Sequence, residues 1–264
     1  MSKKTVLITG GSGGIGKEIA KLFLSEQHNL IIVGRTQSEI DNCKLELSDP
    51  NILYWAMDLG CFDSAYKLFE LVNEQQLNID VLVNNAGFGL YGDHIDLEFE
   101  RLQNMLLLNV QTVACLSHLF GKDMSKRKSG TIINIGSTAG FQPLPYLAAY
   151  AASKTFVLNF SIALATELEG SGVHVLCVCP GTTKTAFLST AGLNQIDKFG
   201  STDYIAHKIA MDPKKVASTL FDAYKEHKTV AVPGIVNKIH RLAVRVLPKV
   251  AFDPVVHAVL GKQK

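Results

Sequence analysis

Tyr150 and Lys154 stand four apart in Tyr150-Ala151-Ala152-Ser153-Lys154, a spacing that puts both side chains on one face of a helix. A free tyrosine titrates near about pH 10, too high for acid–base work near neutrality without a neighbouring ammonium. A tenfold change in its acidity takes about 1.4 kcal/mol, an amount that one well-placed cation supplies. The pair is therefore a candidate acid–base unit. Asn109 lies amid apolar neighbours in a helical pattern running from about Leu97 to Lys126, and a buried amide needs partners. Ser137 closes the apolar run Ile132–Ile135. Other chemistries find less support. The eight histidines are scattered, with no H-E-x-x-H and no pairing with cysteine at ligand spacing, so no metal site is expected. Ser137 lacks the G-x-S-x-G context of a hydrolase nucleophile.

The elements that must position these residues begin at the amino terminus. Thr5 to Ile8 form a short β-branched run suited to a buried parallel strand, and Lys17 onward takes helical spacing. Between them lie Gly10-Gly11-Ser12-Gly13-Gly14-Ile15-Gly16. Gly10, Gly14 and Gly16 would reverse the chain, admit a pyrophosphate to the backbone and let the helix lie close on the strand, with the helix N-terminus facing the anion. The same residues also fit G-x-G-x-x-G through Gly11, Gly13 and Gly16; the first register is preferred because Gly10 directly follows the strand.

Further strands are predicted at Leu30–Val33, Ile52–Met57, Ile79–Val83, Ile132–Ile135, Val173–Val178 and Thr229–Val232. In a dinucleotide fold the residue about 20 positions past the glycines contacts the adenosine ribose: an acid holds the diol, an arginine suits a 2′-phosphate. Here it is Arg35. That favours NADP(H), with NAD(H) as the alternative; Thr36 and Glu39 also read as a helix-capping pair. Asp58 and Leu59 follow the third strand and Asn84-Asn85-Ala86-Gly87 the fourth, at the carboxyl ends where the crevice of an open sheet lies. Residues 182–212 are poorly patterned and read as a mobile segment over a cleft, and Asp212-Pro213 starts a helix. The fold class is α/β: a Rossmann-type doubly wound parallel sheet of about seven strands with helices on both faces.

The 264 residues, 47% hydrophobic and without internal repeat or low-complexity linker, fit a single domain over 1–264. Five cysteines with no C-x-x-C, mostly inside apolar runs, read as buried free thiols of a reducing, cytoplasmic setting. The start Met1-Ser2-Lys3-Lys4 precedes too short an apolar run for a signal-peptide core. No nucleic-acid partner is expected.

Taken together, the glycine turn, Asn84-Asn85-Ala86-Gly87, Asn109, Ser137, Tyr150-x-x-x-Lys154 and Pro180-Gly181 strongly resemble the short-chain dehydrogenase/reductase family in order and spacing, over roughly residues 3 to 232. The resemblance implies an oxidoreductase in which Tyr150 gives a proton to a carbonyl oxygen while NADPH delivers hydride. It implies that Ser137 polarises that oxygen, that Lys154 holds the nicotinamide ribose and lowers the Tyr150 pKa, and that Asn109 orders a water linking Lys154 to solvent. Gly10, Ser12, Gly14, Ile15, Gly16, Arg35, Asp58, Leu59, Asn85, Ala86 and Gly87 would hold the cofactor, with Pro180, Gly181 and Thr185 bordering the nicotinamide. A homo-oligomer is also implied, through the helices near Asn109 and Tyr150. A cofactor-binding protein without turnover is the competing function, and an isomerase working on bound NAD is disfavoured by Arg35.

Phe88, Leu90, Tyr91, Phe141, Leu144, Phe187 and Leu188 follow the strand ends where substrate would sit, which suits an apolar ketone or oxoacyl compound. After Glu226 come seven cations (Lys228, Lys238, Arg241, Arg245, Lys249, Lys262, Lys264) and one acid, Asp253. Within this extension, residues 234–264, Lys238, Arg241 and Arg245 share one helical face and Val236, Ile239, Ala243, Val246 and Leu247 another, with Pro248 as the stop. Two readings follow: weak peripheral membrane contact through 235–249, or an apolar face that covers the substrate cleft or a subunit interface.

Overall fold

Seven strands, β1 (Thr5–Thr9), β2 (Asn29–Gly34), β3 (Ile52–Ala56), β4 (Val81–Asn84), β5 (Gly130–Ile135), β6 (Val173–Val178) and β7 (Val230–Ala231), pair in parallel in the order β3-β2-β1-β4-β5-β6-β7. The structure, a computed structural model, describes residues 3–191 and 210–246. The apolar runs form strands because both faces of the sheet are covered. Val6, Ile8, Leu30, Ile32, Val81 and Val83 feed one core layer, while Leu7, Ile31, Val33 and Leu82 feed the other. Alternation along each strand thus divides one continuous hydrophobic run between two layers.

The first layer is closed by α1 (Gly14–Ser25), α2 (Gln37–Glu46) and α8 (Pro213–Lys225), which contribute Ile19, Phe23, Ile40, Leu220 and Phe221. The second is closed by α3 (Ser64–Glu74), α5 (Val113–Lys126) and α6 (Ala148–Glu167), through Leu68, Val72, Leu116, Phe120 and Leu164. The strand order reverses at β1, which has β2 on one side and β4 on the other, so a crevice opens at their carboxyl ends. Every expected strand is present, displaced by no more than two residues at its ends. β4 is assigned from Val81, although the Asp80 backbone already bonds to Thr5 O and Thr131 N at 2.9 Å each and its carboxylate accepts the Thr5 N–H at 2.8 Å.

The single helix expected near 97–126 is three pieces: α4 (Phe99–Leu106), a π turn at Leu107–Thr112, and α5. A π turn carries an extra residue per turn and re-aims the side chains after it. Here it holds Asn109 fully buried. Around the segment expected to be mobile, the described ends are pinned: Thr183 bridges Met211, with Met211 N donating to Thr182 O at 2.8 Å. Residues 192–209, the rest of that segment, lie outside the described residues. The Asp212 side chain caps α8 through Lys214 N at 2.8 Å, as the sequence predicts.

The C-terminal helix, α9 (Ile235–Val246), is present, but its orientation corrects the cleft-covering half of the second reading. Its polar face, with Asn237, His240 and Arg241, meets the body at Gly181, Gln142 and Phe141. Its apolar face points away from the body, so it does not cover the cleft. Leu247, Pro248 and the remainder to residue 264 lie outside the described residues.

Candidate active site

The glycine turn joins β1 to α1 at the carboxyl edge of the sheet. Gly10 and Gly14 have φ of 61° and 51°, which side-chain-bearing residues adopt only under strain, and a Cβ on Gly16 would stand 2.3 Å from Gly10 O. Gly13 has extended φ and open space around it. The register is therefore Gly10, Gly14 and Gly16. No side chain caps α1, so its first N–H groups and positive dipole end remain free to receive a phosphate. The residues present fit a dinucleotide on that ground.

The other predicted cofactor residues converge on this turn to different degrees. Asn85 does so as a brace: its Nδ2 donates to Thr9 O at 3.0 Å and Gly10 O at 2.9 Å. Its backbone N and that of Ala86 donate to Thr9 Oγ1. Ser12 lies against Gly34 at the end of β2, and Thr185 against Gly14. Ile15 is partly buried against the first core layer. Pro180 O accepts the Thr138 N–H at 2.9 Å, and Gly181 touches the Asn237 side chain. Arg35 follows β2 with its side chain 62% exposed and paired to Glu39 at 2.8 Å, while Thr36 caps α2 through Glu39 N. Asp58 accepts the Gly60 N–H at 2.8 Å. Two residues turn inward instead. The Leu59 side chain is core, its carbonyl held by Thr112 Oγ1, and Asn84 donates to Asn134 and Ser117 beneath the site.

Asn109, Ser137, Tyr150 and Lys154 meet on the far side of the crevice. Lys154 Nζ donates to Ile135 O at 3.0 Å and lies 5.9 Å from the Tyr150 ring centroid. A Cβ on Gly87 would touch Asn109 Oδ1 and Lys154 Nζ together, so the backbone after β4 passes directly over them. Asn109 is committed to position: Oδ1 accepts Phe88 N at 3.2 Å, and Nδ2 donates to Phe88 O at 2.9 Å and Ser153 Oγ at 3.2 Å. Ser137 caps the 3₁₀ turn Thr138–Phe141 through Ala139 N. The Phe187 ring from α7 (Phe187–Thr190) packs on Tyr150 at 5.4 Å.

Burial governs the charges here. Desolvation pushes the Tyr150 phenol up to about 12, opposed by the hydrogen bond with the Ser137 hydroxyl. It pulls the Lys154 ammonium down to about 8, opposed by the nearby Cys177 and Cys179 thiols. Lys154 is not among the groups that move the phenol here: its ammonium faces a carbonyl and the ring, and the cost of burying a phenolate dominates. A phenol so held keeps its proton throughout the neutral range.

Sequence reasoning missed the polar layer under the site, where Asn134 links Asn84 to Ser161, and also Thr9 and Ser153. Asn134 and Ser161 are polar residues within apolar runs and Thr9 ends a strand, signals open to reading but not to partnering. A groove of about 1140 Å³ between Lys3, Lys4, His174 and His227 lies at the amino ends of β5 and β6, the opposite end of the sheet from this chemistry.

Residues 4–196 match the short chain dehydrogenase family. An uncharacterized oxidoreductase of Bacillus subtilis, YvrD, is 39% identical over 186 residues, 70% of each chain. A very-long-chain 3-oxoacyl-CoA reductase of Phaeosphaeria nodorum is 38% identical over 184 residues, 65% of this chain but only 52% of that relative's length. Among solved structures, a short-chain dehydrogenase of Sphingobium yanoikuyae in complex with NADPH superposes with TM-score 0.79 at 26% identity, covering 99% of this chain and 96% of that one.

Proposed function

The chain belongs to the short-chain dehydrogenase family, and on that premise we propose that it is an NADP(H)-dependent oxidoreductase that interconverts an apolar ketone or oxoacyl carbonyl and the corresponding secondary alcohol. The observation that carries this reading is the meeting of Ser137, Tyr150 and Lys154 in one crevice beside an uncapped helix N-terminus. The bound nicotinamide would supply the hydride that adds to the carbonyl carbon. Tyr150, protonated across the neutral range, gives its proton to the carbonyl oxygen. The Ser137 hydroxyl, already hydrogen-bonded to that phenol, donates to the same oxygen as negative charge develops on it. Lys154 holds the ribose, and Arg35 takes the 2′-phosphate. Asn109 acts as a positioning residue through the Phe88 peptide.

The apolar surroundings of Tyr150 support the substrate class. Phe88, Leu90, Leu97, Leu147 and Phe187 pack in one cluster with it, and such surroundings would favour an apolar substituent on the carbonyl. The fungal relative's name supports the oxoacyl option, and the NADPH of the solved neighbour supports the cofactor.

The test is a panel of ketones and oxoacyl thioesters followed by NADPH absorbance. Tyr150→Phe, which keeps the ring and removes the proton donor, is expected to lower turnover by roughly 100-fold or more while NADPH still binds. Wild-type turnover in that variant, or no turnover by the wild type on any carbonyl tried, overturns the reading.

A further inference from the structure

The helix α9 wears its amphipathicity inside out. Asn237 donates to Pro233 O at 2.8 Å and reaches the Met211 sulfur. His240 meets Gln142 at 3.4 Å, and the Arg241 guanidinium lies 5.8 Å from the Phe141 ring centroid. The helix is thus moored by its polar face. On the other side Ile235, Val236, Ile239, Leu242 and Val246 form one stripe at 69%, 74%, 60%, 63% and 70% exposure. Five large apolar side chains on a helix of about 18 Å are more than chance surface exposure explains, and contiguous patches of this kind mark interaction surfaces.

Charge identifies the partner. Lys238 and Arg245 run along one edge of the stripe, and no acid occurs from Ile235 to Val246. A second copy laid antiparallel on the stripe would bring the two cationic edges together with no carboxylate of the helix to receive them. An anionic lipid surface meets both features, since it takes the apolar side chains below the headgroups and the cations among them. We infer that α9 is a docking helix for anionic membrane surfaces. Phe141 and Gln142, in the turn just after Ser137, lie against the mooring face of α9, so docking would hold that side of the crevice about one helix diameter from the lipid surface. For an apolar carbonyl compound this would shorten the path from the bilayer, a consequence that rests on the function proposed above; the docking itself does not.

Flotation of the full chain with vesicles of phosphatidylcholine plus phosphatidylglycerol, and of phosphatidylcholine alone, at low and high salt, tests the inference. Binding is expected to the anionic vesicles and to weaken with salt. Leu242→Glu, at an exposed position, is expected to weaken it by about tenfold or more. Lys238→Gln with Arg245→Gln should weaken it by about fivefold per cation. NADPH-linked reduction of a water-soluble ketone, measured on the same samples, is expected to be unchanged, which separates failure of docking from failure of the proposed activity. Absence of binding by the full chain overturns the inference, as does salt-insensitive binding equal on both vesicle types. Sedimentation showing that Leu242→Glu dissociates a dimer assigns the stripe to a second copy and overturns it too.

Discussion

At the scale of single residues, cofactor choice and the state of the buried lysine are the quantities that the site sets. Arg35 is tethered to Glu39 by an exposed ion pair, an interaction worth only about 0.5 kcal/mol. In the role proposed for Arg35, a 2′-phosphate, which can accept two charge-assisted hydrogen bonds from one guanidinium, would outcompete it. If the proposed NADP(H) reading holds, binding titrations show tighter NADPH than NADH in the wild type and Arg35→Asp loses that difference; an unchanged ratio would remove Arg35 from that role. Lys154 offers a pH test. Its folded pKa is about 8 against 10.5 unfolded, so between those values the unfolded chain binds the extra proton and stability rises with pH. Lys154→Met is expected to flatten that rise in urea midpoints taken across the window, and an identical slope in the variant would refute the assignment.

Elements make the residues useful. The turn after β1 is held by backbone contact: a Cβ at Gly16 would meet Gly10 O and the Asn85 amide nitrogen at 2.3 Å and 2.5 Å, both parts of a braced structure with no room to give. Gly16→Ala is expected to displace the turn, weakening cofactor binding by at least about tenfold and destabilising the fold by about 1–3 kcal/mol as overpacking does. Calorimetry on both properties checks it, and a variant with wild-type affinity would show that the turn tolerates the methyl. The π turn has a comparable positioning role, because it buries Asn109 against Phe88 and Ser153 and so fixes the backbone that passes over Lys154.

At the scale of the whole molecule, two helical groups among the exposed apolar side chains of the described residues bear on assembly. One is the stripe on α9; the other is Phe99 and Leu106 on α4 with Phe156 and Ile162 on α6, at 73%, 40%, 36% and 39% exposure. These helices also carry or adjoin Asn109 and Tyr150, so self-association there would brace the site. A homo-oligomer is expected in sedimentation, shifted toward monomer by Phe156→Glu and untouched by Leu242→Glu. The reverse pattern would exchange the roles of the two surfaces.

The sequence by itself determined the strands, the glycine turn, the α8 cap and the Tyr150–Lys154 pair, because each depends on local chemistry: run length, backbone freedom, capping and helical spacing. It left open whatever depends on what lies across a gap. The choice between overlapping glycine registers needed the positive φ of Gly10 and Gly14 and the open space around Gly13. Asn84 and Asn85 are adjacent and identical in type, yet one enters the core and the other braces the turn, since neighbours on a strand point to opposite faces. The direction in which the Tyr150 pKa moves turned on desolvation, a property of the packed interior rather than of a spacing of four. The same holds for α9: its two faces were legible as letters, but only tertiary packing decided which one meets the protein, because periodicity defines a face and not its neighbour.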